Sequence, residues 1–112
     1  MMHISADTGM ARLLAALGHE HRLRIVELLR QGERCVCEIT PAFDLDPSVV
    51  SRHLAHLVRA GAIRSRRDGR RIFYQVADHR VLRLVDAVRS VVVAPDKARP
   101  VGPRARAAGA RC

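Results

Sequence analysis

A mainly α chain carrying one β-hairpin is the fold class this sequence predicts, on three observations. Apolar residues recur at helical spacing over most of the first 93 positions, the period switches to two on either side of Asp68-Gly69, and the breaks between segments fall at glycine or proline. A chain of 112 residues is about one domain long. It can bury a modest core but has no room for a catalytic domain beside a second module.

The elements follow in order. Met10, Leu13, Leu14 and Leu17 fall at i, i+3, i+4 and i+7, with Asp7 or Thr8 as N-cap and Gly18 as terminator, which predicts a first amphipathic helix. A second runs from about Glu20 to Arg30 and closes at Gly32; its apolar residues are spread too widely for one stripe, so it should be central and well buried. Cys35 to Ala42 can form a short third helix, ended by a Phe43-Asp44-Leu45 turn. Asp46 as N-cap and Pro47 at the first helical position open a fourth, on which Val50, Leu54 and Leu57 form the buried row until Gly61. Ile63 to Arg67 and Arg70 to Val76 read as two strands joined at Asp68-Gly69, with Ile72, Tyr74 and Val76 on one face. A last helix, about Asp78 to Val93, carries Val81, Leu84, Val85, Val88, Val91 and Val92. Residues 1–93 thus form the folded domain, and 94–112, rich in Pro, Gly, Ala and Arg, are expected to be a mobile basic tail.

Twenty Lys and Arg against 11 Asp and Glu leave a formal charge of +9. Such an excess favours polyanionic partners through counterion release, which puts nucleic acid first. No stretch approaches the roughly 18 to 20 apolar residues of a membrane span, and the N-terminus does not read as a secretory signal, so the expected compartment is the cytoplasm. Phe43, Phe73 and Tyr74 are the only aromatics. A stacking platform for single strands needs more, which favours duplex DNA.

Two helices joined by a short turn and followed by an arginine-rich hairpin make a winged helix-turn-helix, in which the second helix enters the major groove and the wing grips flanking backbone. Burial of Val50, Leu54 and Leu57 leaves Ser48, Ser51, Arg52 and His56 facing the groove. Arg52 is the best candidate for a guanine edge, because its fork pairs with both acceptors. Arg64, Arg66, Arg67, Arg70 and Arg71 crowd the hairpin, and Arg66, Arg67, Arg70 and Arg71 are the candidate phosphate contacts. His53 beside the buried row reads as a structural histidine rather than a base reader, and His19 and His21 near the second helix start read as surface or capping residues rather than a metal pair. The first and last helices carry more apolar surface than so small a core needs, which points to a homodimer joined through both; the alternative is that these stripes pack only within one subunit.

Cys35-Val36-Cys37, followed by Glu38, is the second constellation. Thiolates select soft ions over magnesium or calcium. Residues i and i+2 of a helix point about 200° apart, so both sulfurs reach one ion only if the helix start distorts. A ligand there would be coupled to the reading helix, and DNA and ligand would weaken each other equally. The same two residues are equally readable as small buried hydrophobes. A disulfide between them is disfavoured in a regular helix.

At these residues the sequence resembles the ArsR/SmtB family of metalloregulatory repressors. The likeness covers about residues 10 to 92 through Leu-Leu-Ala-Ala-Leu-Gly-His-Glu-His-Arg-Leu-Arg-Ile-Val, Glu-Arg-Cys-Val-Cys-Glu-Ile, Ser-Val-Val-Ser-Arg-His-Leu-Ala-His-Leu and Arg-Arg-Asp-Gly-Arg-Arg-Ile-Phe-Tyr. It implies a homodimer on a palindromic operator upstream of a detoxification gene. The Cys-Val-Cys resembles the arsenite-responsive subgroup, which implies Cys35 and Cys37 as arsenic or antimony ligands and no required cofactor. That subgroup often has a further cysteine where this chain has Thr40, so the third ligand is either a small exogenous one or Cys112, whose more economical reading is an incidental thiol on the tail. The zinc-sensing branch's last-helix site is not matched: Asp78 and His79 are adjacent, and Arg89 and Ser90 stand where its later histidines would be.

Other readings stand beside this one. The same fold could sense cadmium, lead or mercury, or thiol oxidation or persulfidation. A dithiol oxidoreductase would use Cys-x-x-Cys in a strand-to-helix setting that is missing here. A ligand-independent nucleoid protein would be equally basic. No catalytic constellation is present: the serines lack a paired base and the carboxylates are scattered, so an enzyme is not expected.

Overall fold

A computed structural model describes residues 5–94. Helices α1 (Ala6–Leu17) and α2 (Glu20–Leu28) lead into a two-residue strand β1 (Arg34–Cys35), a single-turn helix α3 (Val36–Ile39) and a 3-10 turn (Thr40–Ala42). Helix α4 (Pro47–Arg59), strands β2 (Ile63–Asp68) and β3 (Arg71–Val76), and helix α5 (His79–Val93) complete the fold. The three strands form one antiparallel sheet in the order β1-β3-β2. This is a helical domain with a hairpin wing, as the periodicity predicts.

Local chemistry sets most boundaries. Asp46 accepts from the Ser48 N–H and Pro47 fills the first helical position, where a missing N–H costs nothing, so α4 starts where the sequence places it. Its end is fixed by Gly61, whose φ of 82° lies where a side chain is strained. The N-cap of α1 is Ser5, whose Oγ accepts from the Thr8 N–H, and not Asp7 or Thr8; Asp7 sits in the first turn instead. Helix α2 is capped by His19, whose Nδ1 accepts from the His21 N–H at 3.1 Å, and it ends at Leu28 rather than Arg30.

Two expectations are corrected. The hairpin turn is Gly69-Arg70, not Asp68-Gly69: Asp68 pairs with Arg71 across the ladder, and Gly69 takes the left-handed φ of 64°. The expected third helix over Cys35 to Ala42 is divided. Cys35 joins β1, opposite Phe73, and the α-turn stops at Ile39 because Pro41 has no N–H to continue it.

The core gathers Ile25, Val26 and Leu29 of the α2 region, Ile39, the Val50, Leu54 and Leu57 row, Ile63, and Val81 and Val85 of α5. Helix α2 is central, as its broad apolar distribution predicts. A clamp ties it to α5: Arg30 bridges Glu27 and Asp86 at 2.8 and 2.7 Å, and Arg89 reaches Glu27 at 2.6 Å. Hydrogen bonding from Arg30, reinforced by Arg89, holds the Glu27 carboxyl down at about 2 despite partial burial. Along the first and last helices, Leu17, Val81 and Val85 are buried, while Met10, Leu14, Val88, Val91 and Val92 remain exposed.

Candidate nucleic-acid interface and thiol site

The outward face of α4 is opposite its buried row. Ser48, Ser51, Arg52, His56 and Arg59 are all exposed. Ser48 Oγ donates to Asp46 Oδ1 at 2.7 Å, which leaves the hydroxyl oxygen as an acceptor. Hydrogen bonds from Ser48 lower the Asp46 carboxyl, with the Arg52 charge contributing, which keeps the cap ionised. His56 is held from behind. An Arg22 Nη1 lies 3.4 Å from its Nδ1, a position from which the guanidinium can only donate.

Behind α4, His19, His21 and His53 form a cluster with ring centroids 4.6 to 5.7 Å apart, and the His21 ring stands edge-on to Phe43. Burial pushes the His53 imidazole below the usual histidine range, and His19, Arg22, His21 and Arg52 add repulsion. His53 is half-buried beside the buried row, and His19 is the cap of α2.

The wing divides its arginines. Arg66 makes a two-pronged bond to Glu33 at 3.0 and 2.7 Å and lies 4.8 Å over the Phe73 ring. That hydrogen bonding lowers the Glu33 carboxyl and raises the Arg66 guanidinium. Arg64 donates to the Ala77 carbonyl at 3.1 Å. Arg67, Arg70 and Arg71 are exposed and make no side-chain hydrogen bond or ion pair among the described residues. The repulsion expected among five guanidiniums is therefore relieved in part from within, and three remain for an outside anion.

The cysteines sit at the hinge of these parts. Cys35 is not in the helix. As N-cap of α3 it has extended φ and ψ of −67° and 145°, and its Sγ accepts from the Cys37 N–H at 3.1 Å, while Glu38 Oε1 accepts from the Cys35 N–H at 3.0 Å. The 200° divergence of a regular helix therefore does not apply. The Cα atoms are 5.0 Å apart and the two sulfurs are joined as a disulfide, which corrects the expectation that helix geometry would disfavour that bond. Cys35 is buried at 3% exposure, and Cys37 is exposed. Cys112 lies outside the described residues. Among those residues no group of three His, Cys, Asp or Glu is arranged to hold a metal ion.

Residues 19–65, which span this helix-turn-helix and its cysteines, match the family model described as "Bacterial regulatory protein, arsR family". Over 90 residues the chain is 34% identical to a biofilm growth-associated repressor of Agrobacterium fabrum, covering 80% of this chain and 77% of that one. It also superimposes with a TM-score of 0.70, at 34% identity, on a solution structure from Mycobacterium bovis described as the homodimeric winged helix-turn-helix DNA-binding domain of a possible ArsR-family transcriptional regulator; 83% of this chain and 91% of that one are covered. The chain belongs to the ArsR/SmtB family. An arsenic resistance transcriptional regulator of Pseudomonas putida is 41% identical over 78 residues, 69% of this chain and 60% of that protein.

Within this ArsR/SmtB fold the structure brings Ser48, Ser51, Arg52 and His56 to one helix face and Arg67, Arg70 and Arg71 to the wing, and it draws Arg66 into an internal pair. Sequence reasoning missed Arg59, although its spacing of seven from Arg52 places it on the same row. It also missed β1, which a two-residue strand cannot announce by periodicity. No helix among the described residues is long and apolar enough to cross a membrane.

Proposed function

We propose that this chain is a homodimeric transcriptional repressor that binds duplex operator DNA and is released when trivalent arsenic or antimony binds the reduced thiols of Cys35 and Cys37. One observation carries the effector reading. Cys35 pairs with Phe73 of the wing, and the next residue begins the helix that leads to α4. A ligand that draws the two sulfurs to its own geometry therefore acts on both DNA-contacting parts at once.

The donor set fits in chemistry and reach. With arsenous acid, two As–S bonds replace two As–OH bonds, and the two thiol protons leave with the hydroxides as two waters. Exposed Cys37 meets the ligand first and buried Cys35 closes the chelate. The third position is a retained hydroxide or the Cys112 thiolate. Ser48, Ser51 and Arg52 take the groove, His56 stands at its edge where groove and backbone meet, and Arg67, Arg70 and Arg71, with Arg66 if it leaves Glu33, take the backbone.

The dimer reading rests on an apolar cleft of about 420 Å³ between α1 and α5, lined by Leu14, Leu17, Leu84, Val88 and Val92. A second copy presenting the same helices would cover it, as a two-fold interface requires. The matched relative from Mycobacterium bovis is itself described as homodimeric.

Arsenite titrated into reduced protein under argon, followed by sulfur-to-arsenic absorption in the near ultraviolet, tests the reading. Saturation at about one arsenic per subunit, abolished by Cys35→Ser or Cys37→Ser, is the expected result, and Cys112→Ser reports on the third ligand. Absence of binding to the wild type removes the metalloid and leaves only the DNA-binding half. The Cys35–Cys37 bond favours one second reading, thiol oxidation: a peroxide would take two electrons and the two thiol protons, leaving a disulfide and two waters. DNA release by peroxide, with none by arsenite, selects it.

A further inference from the structure

Beside the outward row of α4 lies a cleft of about 390 Å³ lined by Arg12 of α1, His56, Arg59 and Ala60. No carboxylate lines it. Neither Arg12 nor Arg59 makes a side-chain hydrogen bond or ion pair among the described residues, whereas Arg30, Arg34, Arg66, Arg80 and Arg89 all do. Arg22 connects α1 to His56: its Nε donates to the Ala16 carbonyl at 2.6 Å, near the end of α1, and its Nη1 lies 3.4 Å from His56 Nδ1. Two unpartnered guanidiniums and an imidazole thus line one concave space.

We propose that Arg12, His56 and Arg59 form a phosphate-binding cleft that takes a backbone phosphate of duplex DNA and extends the DNA contact from α4 onto α1. This rests on the DNA-binding reading above. A guanidinium pair beside an imidazole suits a singly charged phosphodiester, where the planar forks supply charge and paired donors. Continuity supports DNA as the source: Arg59 stands seven residues from Arg52 on the row expected to enter the groove, so a duplex seated on that row passes its backbone across the cleft. A free phosphorylated molecule shares the chemistry and is separated by experiment.

The test uses the full chain and a fluorescein-labelled duplex of about 30 base pairs, since the electrostatic term is independent of sequence. Anisotropy binding curves between about 50 and 200 mM KCl give the slope of log K against log salt. Arg12→Ala and Arg59→Ala are each expected to reduce that slope by about 0.9 per bound subunit, Arg12→Lys to retain it, and Arg83→Ala, on exposed α5 surface, to leave it unchanged as the control for lost net charge. Circular dichroism confirms that each variant folds. If the wild type shows no salt-dependent duplex binding, the DNA reading itself fails. If the wild type binds and Arg52→Ala weakens it while Arg12→Ala and Arg59→Ala keep the full slope, the cleft assignment alone is overturned. Inorganic phosphate is the second probe, read by the His56 ring resonances without DNA. A saturable shift lost in Arg12→Ala, together with an unchanged DNA slope, overturns the backbone source in favour of a small phosphorylated ligand.

Discussion

Helices α3 and α4 are neighbours in sequence and are held by opposite means. Helix α4 has thirteen residues, its own side-chain cap, a proline at its first position and three fully buried aliphatic residues under one face. Helix α3 has four residues and one buried side chain, Ile39. Its start is held by the ladder from β1 to the wing and by the Glu38 bond to the Cys35 N–H. A helix that short cannot persist on propensity, because nucleation is unfavourable. Helix α4 thus brings its own cap and a full buried face, and the cysteine segment borrows its shape from its surroundings. A segment of the second kind is the one that a small ligand can rearrange at low cost.

The largest break in that contrast comes from the core of α4. Leu54→Ala should destabilise the domain by about 2–5 kcal/mol, measured by urea unfolding, and should take α3 down with α4 in one transition. A loss confined to α4 signals would show that the two are separate units. Next in size is Glu38→Ala, expected to cost about 1 kcal/mol. Amide exchange should quicken at Cys35 and Cys37 while Leu54 and Leu57 stay protected; uniform quickening would mean that α3 is as integral as α4.

Acid acts on the support of α4. Burial, followed by His19, Arg22, His21 and Arg52, holds the His53 imidazole below its ordinary value of 6.5, so the neutral ring is the folded form. As pH falls the unfolded chain takes up the proton first. The contribution is therefore complete above 6.5 and declines as pH drops through 6.5 toward the depressed folded value. Urea midpoints at successive pH values should fall over that window, and His53→Gln should flatten the fall. Glu27 gives a second step, complete above 4.5 and lost toward about 2. The smallest effect is expected at the wing. The exposed Arg66–Glu33 pair should leave the unfolding midpoint unmoved in Arg66→Ala, and a measurable drop would make the wing a structural support of the cysteine segment.

How much was legible follows the same division. Asp46-Pro47 announced the start of α4 to the residue and Gly61 its end to within two, and the Val50, Leu54 and Leu57 row gave the face carrying Ser48, Arg52 and His56, because capping and helical period are local properties. The wing strands were legible within a residue or so, since the two-residue period survives at five or six positions; the turn moved by one because Asp68 found a ladder partner in Arg71. The Cys35–Cys37 geometry was not legible. The spacing suggested divergent sulfurs on a helix, and pairing with Phe73 made Cys35 a strand residue and a cap.

By itself, then, the sequence determined the fold class, the order of the long elements and which residue types gather on the reading helix and in the hairpin, since each depends on neighbours within a few positions. Only the tertiary structure decided that Arg66 is paired and Arg67 is not, that Arg12 and Arg59 share a cleft, and that the two cysteines converge. Those are matters of contact between residues separated in the chain by 33 positions in the case of Arg66 and Glu33. No local periodicity encodes such a contact; it exists only once burial of the common core has fixed where each element lies.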